Sequence, residues 1–317
     1  MKRYIVLIAL IFFFIPSAPA SSPLKGELVI FHAGSLSIPF RDISNAFMKA
    51  HPGLKVIRES SGSRTAARKI CDLGRKCDIM ASADPTVIDE LLMPRYADFR
   101  INFATNEMAI MYTRKSRYAK EITPGNWFRI ILRDGVEYAH SDPNADPCGY
   151  RTLMVWQLAE KYYKKLGLYK MLEEHCPKKN IRPKEVDLIA LLEAGEFDYV
   201  FIYRSVCEQH HMPFVRLPSM INLGDVRHND FYKTASVKVT GKKPGSFIIK
   251  RGRAITYALT IPRNAPNREN AIEFVKFLLG NQAREIIMRD GQGSISPALA
   301  SGFSNLPEEL KPLCKPE

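Results

Sequence analysis

Residues 27–35 read ELVIFHAGS and residues 54–63 read LKVIRESSGS, and the two stretches share one pattern. Each begins with a largely apolar run that predicts a strand and ends in a turn rich in Ser and Gly. Helical spacing of apolar residues follows at 38–47, and a second helix is predicted at 65–73. Strand, turn and helix repeated in this order predict an α/β fold. Because ligands of open α/β sheets bind at the carboxyl ends of strands, both turns are candidate ligand sites.

A third turn of this kind reads SDPNADPCG at 141–149 and follows a predicted strand at 137–140. The start of a helix leaves backbone N–H groups without partners at the positive end of its dipole, which suits an anion. Three such turns that meet in one cleft would form an oxyanion receptor. Residues 106–113 predict a strand into a second domain, and residues 255–262 predict the return strand. The other predicted elements are strands at 78–82 and 199–203, helices at 87–92, 127–132, 153–163, 184–192, 271–279 and 283–288, and a hairpin around 241–245.

The first 20 residues have the pattern of a secretory signal peptide. Lys2 and Arg3 precede an apolar run, and Ala18-Pro19-Ala20 offers a small-residue cleavage site. The apolar run is shorter than the roughly 20 residues that a membrane span needs. We therefore expect export of the chain, with an uncleaved membrane anchor as the alternative. The rest of the chain is long enough for two domains of about 100–150 residues each.

The whole chain carries a net charge of +13. Export, and the lack of a dense Lys/Arg run interleaved with aromatics, argue against nucleic acid as a partner. The basic balance therefore indicates either steering of small anions or a generally solvated basic surface. Six scattered cysteines without a CxxC motif leave the disulfide pairing open. Cys207, His210 and His211 lack the paired spacing of a zinc site, so we expect no metal there.

Familiar catalytic motifs are absent from the sequence. It contains no GxSxG elbow, HExxH, Walker loop or GxGxxG behind a strand. A secreted hydrolase that acts on an anionic ester through Ser35 or Ser63 is the alternative from another class, and His32 is the local candidate base. His32 lies at a strand end, where a structural hydrogen bond is the favoured role. The sequence therefore indicates a binding protein and no enzyme.

Five motifs in a fixed order carry a resemblance to a known family. They are HAGSL (32–36), ESSGS (59–63), SDPNADPCGYR (141–151), RPKEVDLIALLEAGEFDY (182–199) and IPRNAPN (261–267). Over about residues 27–300, the chain resembles the archaeal-type tungstate/molybdate-binding proteins of ABC importers. The resemblance implies a class II periplasmic-binding fold with two α/β lobes, each a mixed sheet flanked by helices, and a ligand cleft between them. It implies lobe I at 27–107 plus 258–317 and lobe II at 108–257.

The same resemblance implies which residues bind the oxyanion. Ser63 is expected to donate from its hydroxyl, with Ser61 as the reserve. Cys148 is expected to donate from its backbone N–H, and Tyr203 from its hydroxyl. The full implied set is Gly34, Ser35, Ser63, Asp146, Pro147, Cys148, Glu185 and Tyr203.

Asp146 and Glu185 are the informative members of this set, because two carboxylates repel a plain sulfate or phosphate. Mo(VI) and W(VI) can expand from four to six oxygen ligands, and hard oxygen donors suit such centres. The resemblance implies that both carboxylates contact the metal directly, which favours molybdate or tungstate over sulfate. Taken alone, Asp146 could be an N-cap and Glu185 a first-turn helix carboxylate. A sulfate or phosphate receptor of the same fold is the other alternative.

The expected partners follow from the resemblance as well. They are tungstate or molybdate, a membrane permease, and the cytoplasmic ATPase that drives it. We expect a monomer outside the cytoplasmic membrane that needs no cofactor. Arg64 and Arg68, in the helix after the SSGS turn, could attract anions at long range but are expected to be solvated or paired.

Overall fold

The computed structural model of the protein describes residues 24–243 and 245–317. The predicted signal peptide at 1–20 lies outside the described residues. Within them, no helix combines the length and the apolar character needed to cross a bilayer. All six cysteines lie in this part of the chain, and each is a free thiol.

Three sheets are built from the strands of the described residues. In chain order the strands are β1 (Gly26–Ala33), β2 (Leu54–Ser61), β3 (Ile79–Ser82), β4 (Arg100–Asn106), β5 (Met108–Tyr112), β6 (Tyr138–Ser141), β7 (Ile181–Arg182), β8 (Tyr199–Tyr203), β9 (Phe214–Arg216), β10 (Ser236–Thr240), β11 (Phe247–Arg251), β12 (Ile255–Thr260), β13 (Gly293–Ser301) and β14 (Cys314–Pro316). The larger sheet has the order β14-β13-β4-β12-β3-β1-β2, and the second has the order β7-β6-β8-β5-β9. The strands β10 and β11 form a separate hairpin.

Helices flank both larger sheets. In chain order they are α1 (Ser37–Ala50), α2 (Ser63–Cys71), α3 (Pro85–Leu91), α4 (Trp127–Ile131), α5 (Pro147–Tyr162), α6 (Leu168–Glu174), α7 (Asp187–Ala194), α8 (Arg204–Gln209), α9 (Asn229–Tyr232), α10 (Arg268–Leu279) and α11 (Asn281–Arg289). This arrangement confirms the α/β, two-lobed fold class that the sequence predicts.

Strand pairing places the three predicted turns. In the larger sheet β1 is parallel to β2 with Ala33 opposite Ser61, so the turns after these strands lie side by side. In the second sheet β6 is parallel to β8 with Ala139 opposite Val200, so the turn after β6 and the end of β8 share one edge. Parallel pairing thus gathers the polar turns at the carboxyl edges, where this class of fold binds ligands.

The chain passes twice between the two sheets. On the outward pass only Glu107 separates β4 from β5. The return strand β12 begins at Ile255, which pairs with Asn106 at the end of β4. The two passes are therefore neighbours, as a hinge requires. The lobe bounds 27–107 plus 258–317 and 108–257 stay a prediction, since β12 starts three residues before 258.

Buried aromatic pairs occur in both lobes. Between α1 and α10, the rings of Phe47 and Phe274 meet edge to face with centroids 5.2 Å apart. In the second lobe, Trp156 of α5 packs edge to face on Phe201 of β8 at 5.4 Å. Buried aromatic pairs of this kind hold neighbouring elements in fixed relation. The strand ends that carry the turns are therefore rigidly placed.

Candidate functional site

The predicted ligand residues come together between the two lobes and are all buried. Ser63, Cys148 and Tyr203 are fully shielded from solvent, and Ser35, Asp146 and Glu185 are 1% exposed. The lobes are closed on each other, since the backbone N–H of Thr65 in α2 donates to the carbonyl of Ala145 across the cleft at 3.2 Å. The eight residues gathered there are Gly34, Ser35, Ser63, Asp146, Pro147, Cys148, Glu185 and Tyr203.

Two glycines allow this close approach. A Cβ at Gly34 would lie 2.9 Å from Oε2 of Glu185, so the carboxylate rests directly on the backbone of the first turn. A Cβ at Gly62 would lie 2.5 Å from the carbonyl oxygen of Ala145. A side chain at Gly62 would strike the backbone of the opposite lobe, whereas one at Gly34 would displace the carboxylate of Glu185. Glycine at each turn therefore permits a close contact between the lobes.

Asp146 ties the two turns of lobe II together. It is the N-cap of α5, and its Oδ1 accepts from the N–H of Cys148 at 3.3 Å. Its Oδ2 accepts from the N–H of Glu185 at 3.1 Å. The N-cap role that the sequence allowed is therefore present, and the Cys148 N–H assigned to the oxyanion is used by this carboxylate. Carboxylate oxygens have further lone pairs, so both stay able to bind another group.

Glu185 is the least satisfied polar group in the cleft. It lies in the turn before α7, because that helix begins at Asp187 and not at 184 as predicted. Both of its carboxylate oxygens are buried and make no hydrogen bond of normal geometry, although the backbone N–H of Ser35 and the carboxyl group of Asp146 lie close to them. Burial, followed by the negative charge of Asp146, raises the pKa of Glu185 well above its usual range. Burial likewise raises the pKa of Asp146. A buried carboxyl group with incomplete hydrogen bonding is costly, so this position favours a group that can bind it.

Ser35 belongs to a hydrogen-bond chain that reaches the hinge. Its Oγ lies 2.8 Å from the hydroxyl of Tyr257 in β12. The same hydroxyl accepts from Nδ2 of Asn106 at 3.0 Å, and Nδ2 also donates to Oγ of Ser205 at 2.7 Å. The first turn is thus connected to both hinge passes. Sequence reasoning missed Tyr257, since a tyrosine in an apolar strand gives no sign that its hydroxyl reaches a ligand turn.

A second missed residue is Arg151, which is buried where the two lobes meet. Its Nη1 donates to the hydroxyl of Tyr203 at 2.8 Å and to the carbonyl of Ala83 at 2.7 Å. The N–H of Ala83 in turn donates to Oγ of Ser63 at 3.0 Å. Ser61, the reserve for Ser63, instead accepts from Nζ of Lys69 at 3.2 Å.

His32 has a structural environment. Its Nδ1 lies 2.8 Å from the carbonyl of Ala33, and burial lowers the pKa of His32 to about 4. Among the described residues, neither Ser35 nor Ser63 hydrogen-bonds to a histidine. The nucleophile and base of the hydrolase alternative are therefore not paired. Nor does the described part of the chain bring three or more His, Cys, Asp or Glu side chains together as a metal site.

The two arginines after the SSGS turn donate hydrogen bonds across the cleft. Arg64 is buried and donates to the carbonyls of Asn144, at 3.1 Å, and Thr240. Arg68 donates to the carbonyl of Gly241 at 2.6 Å and to Asp72 at 2.8 Å. They therefore join α2 of lobe I to the turn before α5 and to the β10–β11 hairpin.

Comparison with known proteins agrees with this architecture. The family model of bacterial extracellular solute-binding proteins matches residues 28–292. An uncharacterised solute-binding protein of Petrotoga mobilis is 57% identical, over 92% of this chain and 91% of its own length. The molybdate/tungstate-binding protein of Thermococcus kodakarensis is 45% identical, over 92% of this chain and 88% of its own. The periplasmic molybdate-binding protein of Azotobacter vinelandii has the same fold, with a TM-score of 0.59 at 16% identity over 84% of this chain and 98% of its own.

Proposed function

Because this chain belongs to the family of bacterial extracellular solute-binding proteins, we propose that its cleft captures molybdate or tungstate for an ABC importer. The similarity to the molybdate/tungstate-binding protein of Thermococcus kodakarensis supports this choice of cargo. The proposed ligand residues are Gly34, Ser35, Ser63, Asp146, Pro147, Cys148, Glu185 and Tyr203.

The observation that carries the proposal is the unpartnered carboxylate of Glu185 beside Asp146 in a closed cleft. Two buried acids repel an ordinary tetrahedral anion, because its outer atoms are all negative oxygens. A Mo(VI) or W(VI) centre is different, since it can accept extra oxygen ligands from carboxylates. Direct contact of Asp146 and Glu185 with that centre would neutralise both acids and reject sulfate at the same site.

The remaining groups suit the oxygens of the anion. Ser35, Ser63 and Tyr203 offer hydroxyl groups, and the turn at Gly34 offers backbone N–H groups at a helix start. Such preorganised dipoles hold an anion in a dehydrated site without a counter-charge of their own. In the proposed complex, the hydroxyl and N–H donors therefore bind the oxygens of the anion, and the two carboxylates bind its metal.

In this proposal the protein performs no chemistry and needs no cofactor. The anion contacts both lobes, so binding favours the closed state over the open one. The closed monomer then docks on a membrane permease driven by a cytoplasmic ATPase. The chain acts outside the cytoplasmic membrane after export by its predicted signal at 1–20.

Titration calorimetry with molybdate, tungstate, sulfate and phosphate tests the proposal. The wild-type chain should bind the first two tightly and the last two weakly. Glu185→Gln should weaken molybdate binding about tenfold or more, which corresponds to about 1.4 kcal/mol. It should also improve sulfate binding relative to molybdate, because an amide N–H replaces a repelling oxygen. Glu193→Gln, an exposed position on α7, is the matched control and should leave both affinities unchanged.

Tight sulfate or phosphate binding without any response to molybdate or tungstate would replace the proposed cargo. Unchanged selectivity in Glu185→Gln would place that carboxylate outside the coordination shell of the metal.

A further inference from the structure

Arg151 bridges the closed cleft from the first turns of α5. It lies five residues after Asp146, and only 2% of it is exposed. Its Nη1 donates at 2.7 Å to the carbonyl of Ala83, next to β3 of lobe I. The same nitrogen donates at 2.8 Å to the hydroxyl of Tyr203, at the end of β8 in lobe II. One guanidinium therefore contacts the backbone of one lobe and a proposed ligand residue of the other.

These contacts fix how two hydroxyl groups can donate. The oxygen of Tyr203 accepts from Arg151, and the oxygen of Ser63 accepts from the N–H of Ala83. A hydroxyl has one hydrogen and two acceptor positions, so each group keeps its hydrogen for another partner. Within the described residues, neither hydroxyl donates a hydrogen bond to a protein acceptor. Both hydrogens are therefore available to the oxygens of a ligand.

Arg151 also carries a buried charge that forms no direct ion pair with a carboxylate of the described residues. No carboxylate of the described residues lies within 4.0 Å of its guanidinium. The neighbouring Asp84 lies 3.9 Å from Nζ of Lys250 and accepts from the hydroxyl of Tyr150. Burial acts to lower the pKa of Arg151, but Tyr203 and Asp84 raise it above its ordinary value, so the charge persists. Asp84 interacts with both Lys250 and Arg151, so a bound dianion would stabilise the buried charge of Arg151 further.

We propose, on the basis of the function proposed above, that Arg151 is a positioning residue of the oxyanion site. It holds the oxygen of Tyr203 so that the hydroxyl donates to the ligand. Its positive charge also offsets part of the negative charge of Asp146, Glu185 and a bound dianion. Arg151 therefore favours a negatively charged ligand whose oxygens accept hydrogen bonds from Tyr203 and Ser63.

A double-mutant cycle separates this role from general support of the fold. Molybdate affinity is measured by calorimetry for the wild type, Tyr203→Phe, Arg151→Met and the double variant. Arg151→Met should weaken binding more than Tyr203→Phe, because it removes both the charge and the orientation. Since the tyrosine hydroxyl is already absent in Tyr203→Phe, adding Arg151→Met there should cost at least about threefold less than in the wild type.

Arg151→Lys should restore part of the affinity by returning the charge, and it takes the place of Arg151→Met in the cycle should that variant fail to fold. Arg129→Met, an exposed arginine of α4, is the control and should bind as the wild type does.

The outcomes separate the two proposals. If the wild type binds molybdate but the two substitutions have additive effects, the proposed role of Arg151 is wrong and the proposed function stands. The same conclusion follows if Arg151→Met leaves the affinity unchanged. A wild-type chain that binds neither molybdate nor tungstate overturns the proposed function and this inference together. Coupling in the cycle with rescue by lysine supports the inference.

Discussion

Gly34→Ala perturbs the closest approach of the two lobes with a single methyl group. The added Cβ would lie 2.9 Å from Oε2 of Glu185 and 3.0 Å from its Cδ and Oε1. Since non-bonded carbon atoms rest about 3.5–4.0 Å from their neighbours, the carboxylate would have to recede by roughly half an ångström or more. The carboxylate would then leave the position from which we propose that it contacts the metal. We expect this displacement to cost about 1–3 kcal/mol of binding, the size that overpacking has in a core. We therefore expect a molybdate affinity roughly 5- to 150-fold weaker than that of the wild type.

Calorimetry with molybdate at one fixed ionic strength measures this loss, and Gly125→Ala is the matched control. A Cβ at Gly125 meets nothing within 4 Å, and its φ is not positive, so binding should be unchanged. Glu185→Ala removes the group that the new methyl would strike. In that background, adding Gly34→Ala should therefore change the affinity by no more than about threefold.

Wild-type affinity in Gly34→Ala would refute the close approach as the reason for a glycine at this position. So would a loss that is just as large in the Glu185→Ala background, because it would then arise from the backbone alone.

Two further substitutions test the donors and the buried histidines. Ser35→Ala should cost about 1–3 kcal/mol of molybdate binding, because one ligand oxygen is left buried without a donor; an unchanged affinity by calorimetry takes Ser35 out of the site. His140 is buried against Trp156, and burial lowers its pKa to about 4. Between about pH 4 and pH 6.5 this histidine therefore binds a proton in the unfolded chain but not in the native one. This difference lowers the free energy of unfolding by about 2 kcal/mol between pH 8 and pH 5. His140→Asn should remove that part of the decline, measured by urea unfolding at both pH values. A pH profile identical to that of the wild type would contradict the prediction.

The turns that form the site could be predicted from the sequence because their signals are local. An apolar run that ends in Gly and Ser marks a strand end before a helix, and both Gly34 and Gly62 follow this pattern. The start of α5 at Pro147 is six residues earlier than the predicted start at 153. Proline is favoured in the first turn of a helix, so Asp146-Pro147 carried a start signal that the turn composition obscured.

Arg151 and Tyr257 could not be predicted in the same way. Their places in the site depend on burial and on hydrogen bonds to Ala83 and Ser35, which are remote in sequence. An arginine in a helix and a tyrosine in a strand have the same local pattern whether they face solvent or a ligand. The sequence also predicts one strand at 106–113, where the structure has the end of β4, then Glu107, and then β5. The rest of β4, from Arg100 onward, was not predicted.

A crystal structure of the protein with bound tungstate, with anomalous data at the tungsten edge, tests the proposed coordination most directly. The proposal predicts one tungsten atom between the lobes, within bonding distance of carboxylate oxygens of Asp146 and Glu185, with six oxygen ligands in total. A tetrahedral anion with both carboxylates turned away from it would contradict the proposal.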